Sequence, residues 1–267
     1  MKKENFENFD YLSEQVFPRF GVDGVFNKKL EAEMDKGVPI IELKAQTTYD
    51  ENKIQFTFNV EKSESDNRYY LNRVDAQLTR KNGEVQDQTF RIYNQRGMDI
   101  KQMYNVMEGR FVYREYLREG ERKSGWSFVD HNRKDDMGKP IVRTYSDDIT
   151  KFNLVAAVSK IPMPYMSQTD KEAMLTGLRN GDPISAFVKM PDGTREKADL
   201  VVQPNLNVVF AYDKAGNKIN FDNKQSKVVA VDDMKAIDDG KNIAKGAAVL
   251  EQSMNGQQTG QGKKVTK

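Results

Sequence analysis

The strongest constraint on the fold is an alternation of apolar and polar residues that follows two helical segments near the start of the chain. Within residues 53–61 every second position is apolar: Ile54, Phe56, Phe58 and Val60. A period of two is typical of a β-strand with one buried face. Asn82-Gly83, a dipeptide that favours tight hairpins, separates two further extended segments. The region is therefore predicted to form an antiparallel meander.

Two amphipathic helices are predicted before this meander. Apolar residues recur at mostly three- and four-residue spacings from Phe6 to Phe17, where Pro18 ends the pattern, and again over Gly24–Lys36. Gly37 is expected to end the second helix in the left-handed conformation. The strands predicted to follow are Pro39–Gln46, Lys53–Glu61, Tyr69–Arg80 and Thr89–Asn94.

The same order of helix and meander recurs twice. A helix over Asp99–Glu108 precedes predicted strands at Arg110–Leu117, Gly125–His131 and Pro140–Tyr145. A helix over Gln168–Asn180, with Thr169 as N-cap and Glu172 as its capping-box partner, precedes strands at Ser185–Met190, Glu196–Val202 and Val208–Tyr212. We predict an α+β fold of repeated helix-then-antiparallel-meander units, with helices packed on antiparallel sheets. Internal duplication would explain the order, although the units are not visibly similar in sequence.

Three regions are expected along the chain. Residues 1–97 hold the N-terminal helices and the first meander, and residues 98–222 hold a helix-meander region that continues into a second α+β unit. Residues 223–267 combine a weak helical pattern with a Gly-, Gln- and Lys-rich end that is predicted to be disordered. The lysines at the end of this region are interpreted as part of a solubilising tail rather than as a phosphate contact.

The absence of cysteine and the presence of a single histidine, His131, narrow the chemistry. They exclude disulfides, thiolate nucleophiles, Cys-based zinc sites and sites that need two imidazoles. The sequence has no P-loop, no GxGxxG and no GxSxG motif. We therefore predict a non-enzymatic protein with no catalytic residues, no metal site and no cofactor. An enzyme that uses two carboxylates stays open as a third hypothesis.

Charge and hydropathy say little about partners. The formal net charge is +2, which neither favours nor excludes a polyanion. No apolar stretch approaches the ~18 residues that a membrane span needs. The segment Met1–Asp10 lacks the apolar core of a signal peptide. We expect a cytoplasmic protein with no membrane partner.

The most distinctive charged region is Gly109–Tyr145. On a strand, Arg110, Val112, Arg114 and Tyr116 share a face on which successive side chains lie about 7 Å apart, close to the phosphate spacing of a nucleic-acid strand. Trp126 and Phe128 share a face on which bases would stack. The predicted nucleic-acid contact comprises Arg110, Arg114, Arg118, Arg122, Lys123, Trp126, Arg133, Lys134 and Arg143. The alternative is a solvated sheet face with cross-strand ion pairs and a tryptophan in the core.

Four segments carry a resemblance: Asn105–Val112, Gly125-Trp126, Leu178–Gly181 and Pro204–Asp213. Together they resemble a family of uncharacterised proteins encoded on conjugative transposons and related mobile elements of gut anaerobes, sometimes fused C-terminally to type I DNA topoisomerases. That family more often has Ala where Gly125 stands. The resemblance implies a role in DNA transfer or in maintenance of the mobile element, and it supplies no catalytic residues.

Two hypotheses of function follow. The first is an accessory protein of a mobile genetic element that contacts DNA or a DNA-processing protein. The second is a pure protein-protein interaction module that docks through a sheet edge or an exposed apolar patch. Asn105 and Arg110 are interpreted either as groups that satisfy the turn around Gly109 or as part of a ligand site.

Overall fold

The computed structural model describes residues 3–136, 138–190 and 192–221. The described residues all belong to one compact unit. The weak helix and tail predicted at 223–267 lie outside the described residues. Within the described part, helices pack on three antiparallel sheets, which confirms the predicted α+β class.

The first sheet is a four-stranded meander with strand order β1-β2-β3-β4. Its strands are β1 (Ile40–Tyr49), β2 (Asn52–Lys62), β3 (Tyr69–Thr79) and β4 (Val85–Arg91). The alternating apolar residues of β2 are fully buried, as their spacing predicts. Phe58 lies at the centre of this core, where its ring contacts those of Phe17, Phe20 and Phe26 at centroid distances of 6.1, 6.1 and 5.1 Å.

Two helical segments cover this sheet. The first runs from α1 (Lys3–Asp10) through a π-helical turn (Tyr11–Val16) into a 3-10 turn (Phe17–Phe20), and the second is α2 (Asn27–Lys36). Gly37 follows α2 with φ 71°, the left-handed end that the sequence predicts. The predicted strand Thr89–Asn94 is displaced, because β4 begins directly after the Asn82-Gly83 turn and ends before Asn94, which lies in another turn.

The second sheet is a wall between two apolar cores. After α3 (Ile100–Met107) come β5 (Val112–Arg118), β6 (Glu121–Lys134) and β7 (Pro140–Ser146), in the order β5-β6-β7. Since neighbouring residues on a strand point to opposite faces, Val112 and Val129 belong to the first core and Trp126 to the second. Helix α3 also packs in the first core, so the boundary expected between residues 97 and 98 passes through that core.

The third sheet, with order β10-β9-β8, closes the second core. The remaining elements are α4 (Asp147–Thr150), α5 (Leu154–Val158), α6 (Gln168–Asn180), β8 (Ile184–Lys189), β9 (Arg195–Gln203) and β10 (Val208–Tyr212). The predicted N-cap of α6, Thr169, is wrong. Ser167 caps the helix instead, because its backbone is extended and its Oγ accepts a hydrogen bond from the Asp170 N–H at 3.1 Å. None of the helices just named is long and apolar enough to cross a membrane.

Candidate anion-binding site

Arg110, the first residue of the predicted contact, is part of an internal network. Its Nη1 donates a hydrogen bond to Asn105 Oδ1 at 2.7 Å, and its Nη2 lies 3.5 Å from Asp50 Oδ2. Its guanidinium also lies 5.6 Å from the centre of the Tyr104 ring. These contacts agree with the interpretation that Arg110 satisfies the turn around Gly109, whose φ is +78°.

Trp126 cannot serve as a platform for bases in this fold. Its side chain is only 2% exposed and packs against the rings of Tyr113 and Phe152 at 5.2 and 5.5 Å. Phe128, on the same face of β6, is half-buried and stacks on Tyr145 at 4.8 Å. The stacking role predicted for Trp126 is therefore corrected to a role in the second core.

Most other basic residues of the predicted contact are paired with carboxylates. The pairs are Arg118–Glu119 at 3.6 Å, Lys123–Glu121 at 3.6 Å, Arg133–Asp130 at 3.9 Å and Arg143–Asp130 at 2.9 Å. Lys134 is exposed at the end of β6. The structure thus favours cross-strand and local ion pairs over a continuous basic surface for these residues.

Two residues of the predicted contact, Arg114 and Arg122, line a cavity of about 470 Å³. Arg19 and Arg96 line it as well, although they lie far away in the sequence. We call this space the arginine cavity. Its charged lining is completed by a single acidic residue, Glu115.

The first wall of the arginine cavity is the N-terminal helical segment. Tyr11, Gln15 and Arg19 follow one another at intervals of four, so they lie on one side of this segment. Asn8 fixes the segment to the first sheet: its side chain accepts from the Tyr69 N–H at 2.7 Å and donates to the Tyr69 carbonyl at 3.2 Å.

The second wall is the tight turn from Tyr93 to Arg96. The backbones of these two residues exchange hydrogen bonds, and the central residues Asn94 and Gln95 have φ values of 49° and 56°. Two positive φ values in a two-residue loop are typical of a type I′ turn, in which Gln is unfavourable. The buried Gln95 side chain holds the turn by accepting from the Leu71 N–H at 3.0 Å.

The third wall is the β5–β6 hairpin, which carries Arg114. The Nε of Arg114 donates to Ser127 Oγ at 2.9 Å, and that hydroxyl is bonded to Thr144 Oγ1 at 2.7 Å. Burial lowers the pKa of the Arg114 guanidinium below its ordinary value. An arginine nevertheless stays charged at neutral pH, so this half-buried position holds a cation.

None of the four arginines of the cavity has a carboxylate within ion-pairing distance among the described residues. The same four residues carry twenty N–H donors in principle, five for each guanidinium. Guanidinium groups bind phosphates and carboxylates in a bidentate geometry. The arginine cavity therefore presents several guanidinium donors whose chemistry suits an anion.

A second, larger cavity of about 760 Å³ adjoins the first, with which it shares Tyr93 and Arg114. Part of its charge is compensated internally. Arg73 Nε lies 3.2 Å from Asp75 Oδ2, and Asp75 also accepts from Asn59 at 2.9 Å and from Thr89 at 2.7 Å. Its lining holds four basic and three acidic residues, a net excess of one cation, against an excess of three in the arginine cavity.

Sequence reasoning missed Arg19 and Arg96, because neither belongs to the basic stretch at Gly109–Tyr145. Tyr11 and Gln15 fall within the first predicted helix, but Arg19 follows Pro18, where that helix was expected to end, so the pattern did not join the three residues. No local pattern indicates that Arg96 meets them, since a turn without glycine brings it there.

Within the described residues, no group of three or more His, Asp or Glu side chains lies close enough to hold a metal ion. Comparisons with protein-family models, with curated proteins and with solved structures found no match for this chain.

Proposed function

We propose that this protein is a non-enzymatic, cytoplasmic accessory protein of a mobile genetic element, and that it contacts nucleic-acid phosphates through the arginine cavity. The proposal is carried by one observation: Arg19, Arg96, Arg114 and Arg122 line one cavity, and no carboxylate pairs with them in the described part of the chain. Phosphate contacts supply most of the sequence-independent affinity of a protein for nucleic acid. The family resemblance supports the genomic context.

The lining favours a nucleic acid over an acidic segment of a protein. Arginine binds carboxylates as well as phosphates, so charge alone does not separate the two. Tyr11, Tyr93 and Tyr116 also line the cavity, and aromatic rings stack on bases whatever the sequence. Arginines and tyrosines together match the two chemical parts of a nucleotide.

The test is fluorescence anisotropy of the full chain with labelled single- and double-stranded DNA at about 50 and 200 mM salt. Four phosphate contacts on a single strand predict a roughly 50-fold loss of affinity over this range, from a slope of about −0.7 per contact. Arg19→Ala/Arg96→Ala removes two exposed arginines of the cavity and is expected to weaken binding and to reduce the slope by about 1.4.

The matched control is Arg195→Ala/Lys197→Ala, which removes the same charge from exposed positions on β9. It is expected to bind like wild type, apart from a small effect of net charge. Absence of binding at low salt, or an equal loss in both double variants, would overturn the proposal.

A second candidate function is docking onto another protein through the third sheet. Phe187 on β8 is 60% exposed and Val201 on β9 is 37% exposed, and both lie on the sheet face that points away from the second core. Exposed apolar groups on one face are typical of protein-interaction sites. This candidate predicts no salt-dependent affinity for DNA, and it gains support if the anisotropy experiment shows none.

A further inference from the structure

Arg114 combines a fixed position with unused hydrogen-bonding capacity. The hydroxyl of Ser127, which is fully buried, accepts from its Nε and is itself bonded to Thr144. No other acceptor of the described residues lies within hydrogen-bond distance of the guanidinium. Arg114 lines the arginine cavity with its terminal nitrogens free of acceptors from the described residues, and these nitrogens are the donors that a bidentate contact with phosphate uses.

The same position carries an energetic cost that a bound anion would offset. Moving a charged group out of water is unfavourable unless an opposite charge or hydrogen bonds compensate it. Burial is the largest influence on the pKa of Arg114, and no carboxylate counteracts it. Among the arginines of the cavity, Arg114 is the least exposed. A phosphate beside it would restore this balance.

The shape of the site favours one nucleotide over a duplex. A cavity of about 470 Å³ falls within the range of small-ligand pockets, roughly 300–1,000 Å³. A duplex presents its phosphates on a convex surface, whereas recognition inside a pocket requires an unpaired or terminal nucleotide. A half-buried arginine in a concave site is accessible to an unpaired or terminal nucleotide and not to a duplex.

An aromatic ring lies at a suitable distance from Arg114. Tyr116 follows two residues later on β5, so both side chains leave the same face about 7 Å apart. Tyr116 and Tyr93 both line the cavity, and Tyr93 is 61% exposed. A base resting against a tyrosine would leave its phosphate within reach of the arginines.

We infer that the arginine cavity binds a single unpaired or terminal nucleotide of a nucleic-acid strand, with its phosphate on Arg114 and its base against the tyrosines. This inference rests on the proposed function, because it specifies which form of nucleic acid the cavity accepts. The inference distinguishes a protein that binds strand ends or unpaired bases from a protein that binds along duplex DNA.

The experiment is a competition assay on the full chain. A 3′-labelled ten-nucleotide thymidine strand is bound at low salt, and thymidine 5′-monophosphate, thymidine or inorganic phosphate is added. The monophosphate is expected to displace the strand at a concentration at least tenfold lower than inorganic phosphate, and thymidine is expected to displace none. Direct calorimetric titration with thymidine 5′-monophosphate gives an independent value of the dissociation constant.

Two variants place the binding in the cavity. Arg114→Gln is expected to weaken the binding of the monophosphate at least tenfold, as expected for loss of a charged hydrogen-bond donor. If Arg114→Gln does not fold, Arg19→Ala/Arg96→Ala tests the same cavity at exposed positions. Arg195→Ala/Lys197→Ala on β9 again serves as the charge-matched control.

The outcomes separate this inference from the proposed function. Strand binding that the monophosphate cannot displace, or that the cavity variants leave unchanged, overturns the inference, and in the first case leaves a nucleic-acid-binding protein. Equal competition by inorganic phosphate overturns the contact with the base. Calorimetric binding of the monophosphate without strand binding supports the pocket and overturns the proposed function. If neither the monophosphate nor the strand binds, the inference and the proposed function are both overturned.

Discussion

The side-chain amide of Asn105 donates a hydrogen bond to the carbonyl oxygen of Asn180, 75 residues away, at 2.8 Å. The same nitrogen donates to Asp182 Oδ1 at 3.0 Å, while Asn105 Oδ1 accepts from Arg110 at 2.7 Å. Asn105 is fully buried, so one side chain joins the end of α3, the end of α6 and the start of β5.

Replacing Asn105 is expected to destabilise the fold. Asn105→Ala leaves a carbonyl, a carboxylate and a guanidinium without a buried partner, and the expected loss in the free energy of unfolding is about 1–3 kcal/mol. The measurement is urea denaturation followed by circular dichroism. Asn72→Ala, at an exposed position whose side chain donates to Glu61, is the control and is expected to change little. Equal midpoints for the two variants would show that the junction is not important for stability.

Gly125 of β6 pairs with Ser146 of β7, and the structure gives a reason for a glycine at this position. A methyl group there would overlap the carbonyl oxygen of Tyr145, on the neighbouring strand β7. Gly125→Ala is therefore expected to destabilise the protein by about 1–3 kcal/mol, as for overpacking of a closely packed site. The control is Glu121→Ala, an exposed position on the same strand. A denaturation midpoint at or above that of wild type would contradict the overlap.

The sequence predicted those elements in which local pattern and burial agree. The alternation of β2, the left-handed glycine after α2 and the Asn82-Gly83 turn each identify their element, because one physical cause dominates. Element ends were less predictable. Ser167 rather than Thr169 caps α6, since either hydroxyl suits an N-cap and only the backbone of the first is extended there.

The candidate site was predictable only in part. Arg114 stood out because it lies on a predicted strand that also carries aromatic residues, and Arg122 because it adds positive charge between two predicted strands. Their ion-pairing state depends on cross-strand register, which the sequence does not reveal, and this register places Arg143 rather than Arg114 beside Asp130. Arg96 enters the cavity through a turn whose central residue, Gln95, is disfavoured in that conformation and is held by a bond to the distant Leu71.

Gln95 is expected to be a positioning residue for the arginine cavity. Gln95→Ala removes both hydrogen bonds to Leu71 and keeps a residue that is unfavourable at positive φ. We expect a loss of about 1–2 kcal/mol in the free energy of unfolding. Because the turn also holds Arg96, strand affinity should fall at temperatures where the variant is fully folded. Thr79→Ala, on β3 but outside the turn, is the control; unchanged strand affinity in folded Gln95→Ala would show that the turn does not position Arg96.

Asp99 predicts a pH dependence of stability. Its carboxylate caps α3 by accepting from the Gln102 N–H at 2.7 Å, and burial, together with the nearby negative charge of Asp182, raises its pKa above the ordinary value. The folded protein therefore holds a proton that the unfolded chain releases. The stability that this protonation of Asp99 contributes is complete below the ordinary pKa of an aspartate. It is lost as pH rises through the raised pKa of the folded protein.

Asp99→Asn tests this dependence, because the amide oxygen can still accept from Gln102 while its charge does not change with pH. The quantity to follow is the free energy of unfolding of wild type minus that of the variant, measured by urea denaturation from acidic to neutral pH. This difference is expected to decrease as pH rises. A difference that is constant with pH, or that increases, would contradict the raised pKa.

Trp126 offers an internal probe, since it is the only tryptophan of the chain. Its 2% exposure predicts emission at short wavelength and weak quenching by acrylamide. Because it lies in the second core, whereas Arg114 and its neighbours line the arginine cavity, a thymidine strand added at saturating concentration should leave the quenching constant unchanged. The quenching constant measured in denaturant gives the reference value for an exposed tryptophan. Strong quenching in the folded protein, or protection by the strand, would place Trp126 at a nucleic-acid contact and would favour a surface role over its role in the core.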